Sequence, residues 1–310
     1  KRQALKATVP DTMALEKIHE RFTTVSVCKK GTGTTYMLQI KNLTLTHKKD
    51  LREILSDFSC VFNNGDKAVI IGEEGNGKST LLKWLYDPLM VEEYCEAEGE
   101  RLISGEVLGY LAQELPKEDQ QKSVYEFFSE QESFWNQTPK ELNQTAAKFH
   151  IAPDFFYREQ QMSTLSGGEK VKAQLMRILF AEPTVLLLDE PSNDIDIETL
   201  ETLEELILSW DKIVIYISHD ETLIERTANK IIHIEQIRRK TKSRFCIANT
   251  SYTEYLKNRS SQMENQARQA ADERRQKQIR DEKFQRIYQS VEHAQAVITR
   301  QNPSGGRLLK

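Results

Sequence analysis

The sequence contains only four cysteines and no long apolar run in its 310 residues. The cysteines (Cys28, Cys60, Cys95 and Cys246) are scattered, without the Cys-x-x-Cys spacing of a metal site. This pattern is typical of reduced thiols in a cytosolic protein and argues against a disulfide scaffold. No segment approaches the roughly 18 apolar residues of a membrane span, and the N-terminus has no signal-peptide core. We therefore expect a cytoplasmic protein without a channel of its own.

The sequence also lacks a strong net charge, which is −4, but its charges are unevenly distributed. From Lys257 to Lys310 it has twelve Lys and Arg against six Asp and Glu, a local charge of +6 that leaves −10 on the rest. A basic tail on an acidic body is typical of a segment that touches something anionic. A solvated charged helix explains the same counts, so charge alone leaves both interpretations open.

Glycine and proline are missing between Ser251 and Asn302, which favours one continuous helix. A narrow apolar stripe with steps of three or four residues suits packing of this helix against a second one. The stripe consists of Phe284, Ile287, Val291, Ala294 and Ile298. The turn residues from Asn302 to Gly306 then predict a hairpin tip, after which residues 307–310 begin a returning arm.

Upstream of this helix, apolar strand patterns alternate with helical ones, which predicts a parallel α/β core. The runs Thr184–Leu188 and Ile213–Ile217 are typical of strands buried on both faces. An alternating strand opens at Met37, and two strands flanking the turn at Asn63–Gly65 predict a hairpin. Helical patterns in residues 114–162 predict a helical insert.

Residues 72–79 have the pattern G-E-E-G-N-G-K-S between a predicted strand and a predicted helix. This is the spacing of a P-loop, whose glycines let backbone N–H groups approach phosphate oxygens. The start of the helix adds partial positive charge. In such loops the lysine, here Lys78, reaches the β- and γ-phosphates, and the hydroxyl of Ser79 binds Mg²⁺. A chance glycine-rich turn is the plainer alternative, and the flanking strand and helix argue against it.

Several polar residues follow predicted strands and should share one edge of the sheet. Asp189 ends an apolar strand where a carboxylate can meet a metal, and Glu190 follows where it can polarise an attacking water. His219 ends the next apolar strand, at the edge where open α/β folds bind ligands. That position favours a γ-phosphate contact over the structural role more usual for a lone histidine. Gln113 ends another strand there and means little alone.

A further motif, L-S-G-G-E at Leu165–Glu169, opens a predicted helix that runs from Ser166 to Phe180. Ser166 followed by Glu169 three residues on predicts a capping box. Together these motifs resemble the ATP-binding-cassette (ABC) ATPases, over roughly residues 37–249, and L-S-G-G-E is the motif most specific to that family. In family terms the Walker A motif is Gly72–Ser79, the Q-loop residue Gln113, the signature Leu165–Glu169, the Walker B motif Val185–Glu190, the D-loop Ser192–Asp196 and the switch histidine His219.

The resemblance implies an enzyme that hydrolyses ATP, with ATP and Mg²⁺ as its cofactors. It implies catalytic roles for Glu190 and His219, and Mg²⁺ contacts from Ser79, Gln113 and Asp189. The nucleotide-binding residues would be Gly72, Glu73, Gly75, Asn76, Gly77, Lys78, Ser79 and Thr80. The signature residues Leu165, Ser166, Gly167, Gly168 and Glu169 would act on ATP held by a second ABC domain, which is therefore an expected partner.

The stretch L-D-E-P-S-N-D-I-D at Leu188–Asp196 is similar to the L-D-E-P-T-N-H-L-D of ABC-F proteins. That family has no membrane domain and acts on ribosomes. Ser192 replaces a threonine, and Asp194 replaces a histidine, which puts any subunit contact there in doubt. Glu74 adds negative charge near the phosphates and should point outward. The expected adenine-stacking aromatic is not evident, and His47 is a weak candidate.

ABC-F proteins join two ABC domains by a long helical hairpin that reaches the ribosome and the tRNA, and residues 251–310 resemble its first helix and tip. The resemblance implies contacts with rRNA and tRNA phosphates, with Arg274, Arg275, Lys277, Arg280 and Arg300 as candidates. The expected organisation is therefore an N-terminal extension (residues 1–36), an ABC ATPase domain (37–250) and a basic helical linker (251–310). The ABC domain should combine a parallel sheet core, an antiparallel β subdomain and a helical subdomain at about 114–180. A short arm with a hairpin tip, as predicted for residues 251–310, resembles the arm of the antibiotic-resistance branch of the family.

Two other interpretations share the ATPase motifs. The ATPase subunit of a membrane transporter has every motif up to His219 but does not predict a basic hairpin after it. A DNA-repair or chromosome ATPase also joins ABC domains to helical hairpins, but those are usually inserted within the ATPase domain. Here the helix follows a complete domain, which counts against that interpretation.

Overall fold

The computed structural model describes residues 36–103, 105–237 and 242–301, with the backbone alone at residue 242 and from 294 to 301. The chain forms two compact units, which divide between Thr253 and Glu254. The expected N-terminal extension (apart from residue 36) and the expected hairpin tip at 302–306 lie outside the described residues.

A six-stranded sheet forms the centre of the first unit, in the order β5-β6-β7-β3-β8-β9. Neighbouring strands from β5 to β8 are parallel, and β9 pairs antiparallel with β8. The central strands β6 and β7 are buried along their whole length, as their continuous apolar sequences predict. The strands are β3 (Lys67–Ile71), β5 (Leu108–Leu111), β6 (Val185–Asp189), β7 (Ile213–Ile217), β8 (Lys230–Ile237) and β9 (Lys242–Ala248).

A separate antiparallel sheet has the order β2-β1-β4. Its strands are β1 (Met37–His47), β2 (Glu53–Asn63) and β4 (Cys95–Ile103). The predicted hairpin between the strands flanking Asn63–Gly65 is wrong, because β2 pairs with β1 while β3 pairs with β7 and β8. Both edges of β3 are occupied by parallel neighbours, so β2 has no edge to join, and the turn instead carries the chain from one sheet to the other.

The helices pack around these sheets, and a group of short ones fills the predicted insert. Their bounds are α1 (Lys78–Tyr86), α2 (Leu89–Glu92), α3 (Lys117–Gln120), α4 (Val124–Ser129), α5 (Glu132–Trp135), α6 (Pro139–Lys148), α7 (Gly167–Phe180), α8 (Ile197–Ser209), α9 (Glu221–Thr227) and α10 (Tyr252–Gln301), with 3₁₀ turns at Pro153–Tyr157 and Met162–Thr164. The α/β architecture with an antiparallel sheet, a helical insert and a long C-terminal helix is as predicted.

The insert has its own core of phenylalanines. Phe128 is fully buried and makes ring contacts at centroid distances of 5.0 to 6.4 Å. One of its partners, Phe180, ends helix α7, so the same cluster fixes the helix that opens with L-S-G-G-E. The guanidinium of Arg177 lies 4.3 Å from the centre of the Phe127 ring and adds a cation–π contact between α7 and the insert. The insert thus holds α7 through aromatic packing.

The described part of the second unit, from Glu254 on, consists of the rest of helix α10. Most of its described apolar side chains are exposed, including Phe284 at 71%, Ile287 at 55% and Val291 at 51%, whereas Tyr255 near its start is only 5% exposed. The side chains of Ala294 and Ile298, the last members of the predicted stripe, lie outside the described ones. None of the described helices is long and apolar enough to cross a membrane.

Candidate nucleotide site

The P-loop connects strand β3 to helix α1, as its position between a strand and a helix predicts. Gly72 and Gly77 have φ values of 151° and 85°. A Cβ at Gly72 would lie 2.3 Å from the carbonyl oxygen of Ile234, and one at Gly77 would lie 2.0 Å from Cγ2 of Ile54. Both the backbone conformation and the close approach therefore require glycine. The buried Asn76 fastens the loop from within by donating from Nδ2 to the Ile234 carbonyl at 3.2 Å.

Lys78 is largely buried beneath this loop. Its ammonium donates to the carbonyls of Gly72 at 2.8 Å and Glu73 at 3.1 Å, so the side chain folds back along the loop. Burial lowers the pKa of Lys78, while the carboxylates of Glu190, Glu74 and Asp189 act in the opposite direction. Glu74 itself is exposed, as expected for a carboxylate that points away from phosphates. The site therefore places one desolvated cation beside backbone amides, an arrangement suited to phosphate.

Asp189 lies at the end of β6 and is only 1% exposed. Ser79 donates its hydroxyl to Asp189 Oδ1 at 2.9 Å, and Tyr110 donates its phenol to Oδ2 at 3.3 Å. Burial raises the pKa of Asp189, and these two hydrogen bonds oppose the rise. Burial, with the nearby Asp189 carboxylate, also raises the pKa of Tyr110, whose ring stacks on Tyr86 at 5.2 Å. Tyr110 is a site residue that the sequence analysis missed.

The oxygens of Ser79 and Asp189 fit a magnesium ion. Mg²⁺ prefers hard oxygen ligands and usually takes one or two from protein, completing its shell with water and substrate phosphates. Within the described residues no group of three or more His, Cys, Asp or Glu side chains could hold a metal by itself. Gln113, the third expected ligand, lies two residues beyond β5 at the same sheet edge and is exposed.

Glu190 and His219 lie at neighbouring strand ends, because β6 and β7 are parallel and Asp189 pairs with Ile217. Glu190 Oε1 is 3.7 Å from His219 Nε2. The carboxylate of Glu190 is 15% exposed and the imidazole of His219 is 47% exposed, so both reach solvent at this edge. Both side chains thus lie at the same edge of the sheet as Asp189. Asn193 donates to the other oxygen of Glu190 at 2.6 Å, and the sequence analysis did not single it out.

The signature segment forms the predicted capping box. Ser166 is the N-cap of α7, its hydroxyl accepts from the backbone N–H of Glu169, and the Glu169 carboxylate accepts from the backbone N–H of Ser166. The signature glycines pack against the D-loop (Ser192–Asp196) of the same chain. A Cβ at Gly167 would lie 2.0 Å from the carbonyl oxygen of Asp194, and one at Gly168 would lie 2.6 Å from Thr199 Oγ1.

The structure therefore sorts the predicted residues into two groups. The P-loop lysine and serine, with Asp189, Glu190 and His219, gather at one sheet edge, while the signature glycines pack against the D-loop of their own chain. Thr80 is the third residue of helix α1, next to Ser79, and hydrogen-bonds Tyr94. His47, the weak candidate for adenine, lies 2.9 Å from Asp50 Oδ1. Its place in the site stays a prediction.

Comparison with known proteins shows which sequences this chain is similar to. Residues 55–193 match the family described as ABC transporter. The chain is 34% identical to the ATP-binding protein Uup of Escherichia coli over 58% of this chain and 28% of that protein. It is 30% identical to the energy-dependent translational throttle protein EttA of Haemophilus influenzae over 63% of this chain and 34% of that protein. The aligned region thus spans about three tenths of these relatives.

A likeness to a solved structure concerns the fold. A metal-chelate type ABC transporter in an inward-facing conformation superposes with a TM-score of 0.52 and 18% identity, over 69% of this chain and 83% of that one. The matched residues and the motifs are similar to those of ATP-binding-cassette ATPase domains, a class that in general binds and hydrolyses ATP with Mg²⁺. In sequence the chain is similar to Uup and EttA, which are both ABC-F family ATP-binding proteins.

Proposed function

We propose that this chain is the ATP-hydrolysing domain of an ABC-F protein that acts on the ribosome in the cytoplasm. The observation that carries the ATPase part is the constellation at the sheet edge, where Ser79 bonds the buried Asp189 and Glu190 faces His219. The P-loop amides and Lys78 bind the β- and γ-phosphates. Mg²⁺, when bound through Ser79 and Asp189, neutralises charge that develops on those phosphates.

Glu190 acts as the general base in this proposal. Its carboxylate accepts a proton from water while the water oxygen attacks the γ-phosphorus. His219 contacts the γ-phosphate from the neighbouring strand end, and Gln113 reaches the same edge from β5. Glu190 is partly exposed and His219 is exposed, so water can reach both side chains at this edge. The products are ADP and phosphate, and the proton leaves the site from Glu190.

The signature completes the site of a second ABC domain rather than its own. Ser166 is exposed at the start of α7, and Gly167 lies against the D-loop of this chain. The start of α7 presents free backbone N–H groups and partial positive charge, which suits the γ-phosphate of a nucleotide held by a partner. We therefore infer that activity requires pairing, either with a second domain of a longer polypeptide or with a second copy of this chain.

Substitution of the general base tests the ATPase proposal. We expect Glu190→Gln to retain ATP binding and to lower turnover by about 10²- to 10⁴-fold, because the amide cannot accept the proton. Binding is measured with a fluorescent ATP analogue and turnover by phosphate release, with Asp281→Asn on the exposed helix as a matched control. Turnover that survives in Glu190→Gln would contradict the assignment.

Pairing has a test of its own. The specific activity of the chain should rise with protein concentration in parallel with dimer formation in sedimentation velocity. Full activity in a sample shown to be monomeric would contradict the requirement for a partner domain.

The ribosomal part of the proposal rests on helix α10 and on the relatives. EttA is named a translational throttle protein. Four of the five candidate RNA contacts, Arg274, Arg275, Lys277 and Arg280, are exposed on α10, while the side chain of Arg300 lies outside the described ones. Exposed guanidinium and ammonium groups on a long helix suit phosphate contacts. The likeness to a transporter shows the fold alone and gives the transporter alternative no separate support. Membership of the antibiotic-resistance branch stays a prediction.

Charge reversal on α10 tests ribosome binding. Replacing Arg274, Arg275 and Arg280 by Glu should weaken co-sedimentation with ribosomes and flatten its dependence on salt, because phosphate contacts release counterions. The same number of reversals at exposed lysines of the first unit, Lys41, Lys117 and Lys140, controls for net charge. If the two triple variants bound ribosomes equally well, the result would show that α10 does not contribute to the interface. If the protein co-purified with a membrane complex instead of with ribosomes, that result would favour the interpretation as a transporter subunit.

A further inference from the structure

The turn after strand β6 contains an asparagine that the proposed chemistry does not use. Asn193 donates from Nδ2 to Glu190 Oε2 at 2.6 Å. The other oxygen of the same carboxylate, Oε1, lies 3.7 Å from His219 Nε2. The two oxygens of Glu190 therefore face different partners. A carboxylate held in this way cannot rotate freely about its terminal bond.

The backbone of this turn is fixed at both ends. Glu190 has a φ of 49°, and the backbone N–H of Asn193 donates to the Glu190 carbonyl at 3.2 Å, which closes the turn. The N–H of Glu190 donates to the carbonyl of Ile217 on β7 at 3.1 Å. The hydroxyls of Ser192 and Ser218 lie 3.1 Å apart and join the turn to the residue before His219. The fold thus delivers the Asn193 amide to the carboxylate.

We propose that Asn193 is a positioning residue that orients Glu190 for catalysis. By occupying Oε2 it leaves Oε1, the oxygen on the His219 side, to accept the proton of the attacking water. The inference rests on the ATPase function proposed above. The water oxygen forms a bond to the γ-phosphorus, the bond from that phosphorus to the β–γ bridging oxygen breaks, and the proton passes to Oε1. Asn193 exchanges no proton in this step.

Two substitutions remove the contact in different ways. Asn193→Asp keeps the shape but replaces the donor by a carboxylate that repels Glu190, and Asn193→Ala removes the side chain. Loss of a hydrogen bond to a charged group corresponds to about 10- to 100-fold in rate. We expect kcat to fall by that factor in both variants while KM and ATP binding stay unchanged, because Asn193 acts through Glu190 and not on the nucleotide.

The experiment measures kcat and KM by phosphate release at protein concentrations where pairing is complete. Binding of a fluorescent ATP analogue and the melting temperature show that the variants remain folded and competent to bind. The matched control is Asn143→Asp, the same chemical change at an exposed position on helix α6, which should leave kcat unchanged. Glu190→Gln and the double variant Glu190→Gln, Asn193→Ala complete a cycle.

The cycle separates the two proposals. If Asn193 acts through Glu190, adding Asn193→Ala to Glu190→Gln should lower the remaining rate no further. An unchanged or increased kcat in both Asn193 variants, or the same fold-loss with and without Glu190→Gln, would overturn the positioning role and leave the general-base role intact. Full turnover in Glu190→Gln alone would instead overturn the general-base role, and the positioning role with it.

Discussion

The two units of this chain differ most in how far their side chains are removed from water. In the first unit the site is built from groups such as Asp189, which is 1% exposed and bonded by two hydroxyls. In helix α10 even the aromatic Phe284 is 71% exposed. One unit depends on single buried contacts, whereas the described part of the helix offers a row of charges and apolar groups to solvent. Paired substitutions of the same type in the two units should therefore have very different effects.

The largest contrast is expected between two phenylalanines. Phe128→Ala removes the ring that contacts four other aromatic residues of the insert and Phe180 of α7, and should cost about 3–5 kcal/mol in free energy of unfolding. Phe284→Ala on α10 should change the free energy by less than about 0.5 kcal/mol. Urea unfolding followed by circular dichroism measures both. Similar losses in the two variants would show that the face of α10 is covered in solution.

The next contrast concerns the signature glycine. Gly167→Ala should cost about 1–3 kcal/mol because its methyl would lie 2.0 Å from the Asp194 carbonyl oxygen, so the D-loop must shift. Gly65→Ala, at a turn with φ of 81° and nothing within 4 Å, serves as the control and should cost about 1 kcal/mol from backbone strain alone.

ATP turnover should fall in Gly167→Ala, because the added methyl displaces Asp194, which follows Asn193 in the turn after Glu190. Turnover should persist in Gly65→Ala. Thermal unfolding and phosphate release give the two values. Wild-type turnover in Gly167→Ala would show that the contact between signature and D-loop has no functional weight.

The smallest contrast concerns two aspartates. Because burial raises the pKa of Asp189 above its unfolded value, ionisation of this group destabilises the folded state at neutral pH. Stability should increase as pH falls through the raised pKa. Asp189→Asn should therefore raise the free energy of unfolding of the nucleotide-free protein by about 1 kcal/mol at neutral pH, which corresponds to a rise of about 2–4 °C in melting temperature. The melting temperature should also depend less on pH in this variant.

The control for this variant is Asp281→Asn on α10, which is fully exposed and should leave the melting curve unchanged. Mg²⁺-dependent nucleotide binding should weaken in Asp189→Asn at the same time, the usual cost of a stabilised site. A lower melting temperature in Asp189→Asn would show that the bonds from Ser79 and Tyr110 outweigh the desolvation of the carboxylate.

Much of the fold follows from sequence where the signal is local or strongly apolar. The continuous apolar runs of β6 and β7 predicted their complete burial. Ser166 and Glu169 predicted the capping box that starts α7. The sequence analysis did not predict strands β4, β8 and β9, of which β4 and β9 lie at sheet edges. β4, with the sequence C-E-A-E-G-E-R-L-I, is mostly exposed.

Sequence by itself determined the chemical inventory of this protein: a P-loop, a carboxylate pair after a buried strand, a histidine after the next one and a long helix without glycine or proline. These depend on residue types at fixed short spacings, which act through local conformation. Only the tertiary structure decided that β2 leaves β3 for another sheet, that Tyr110 bonds Asp189, and that Gly167 lies against Asp194. Such contacts join residues 27 to 79 positions apart or depend on which strands share an edge. No spacing in the sequence encodes them.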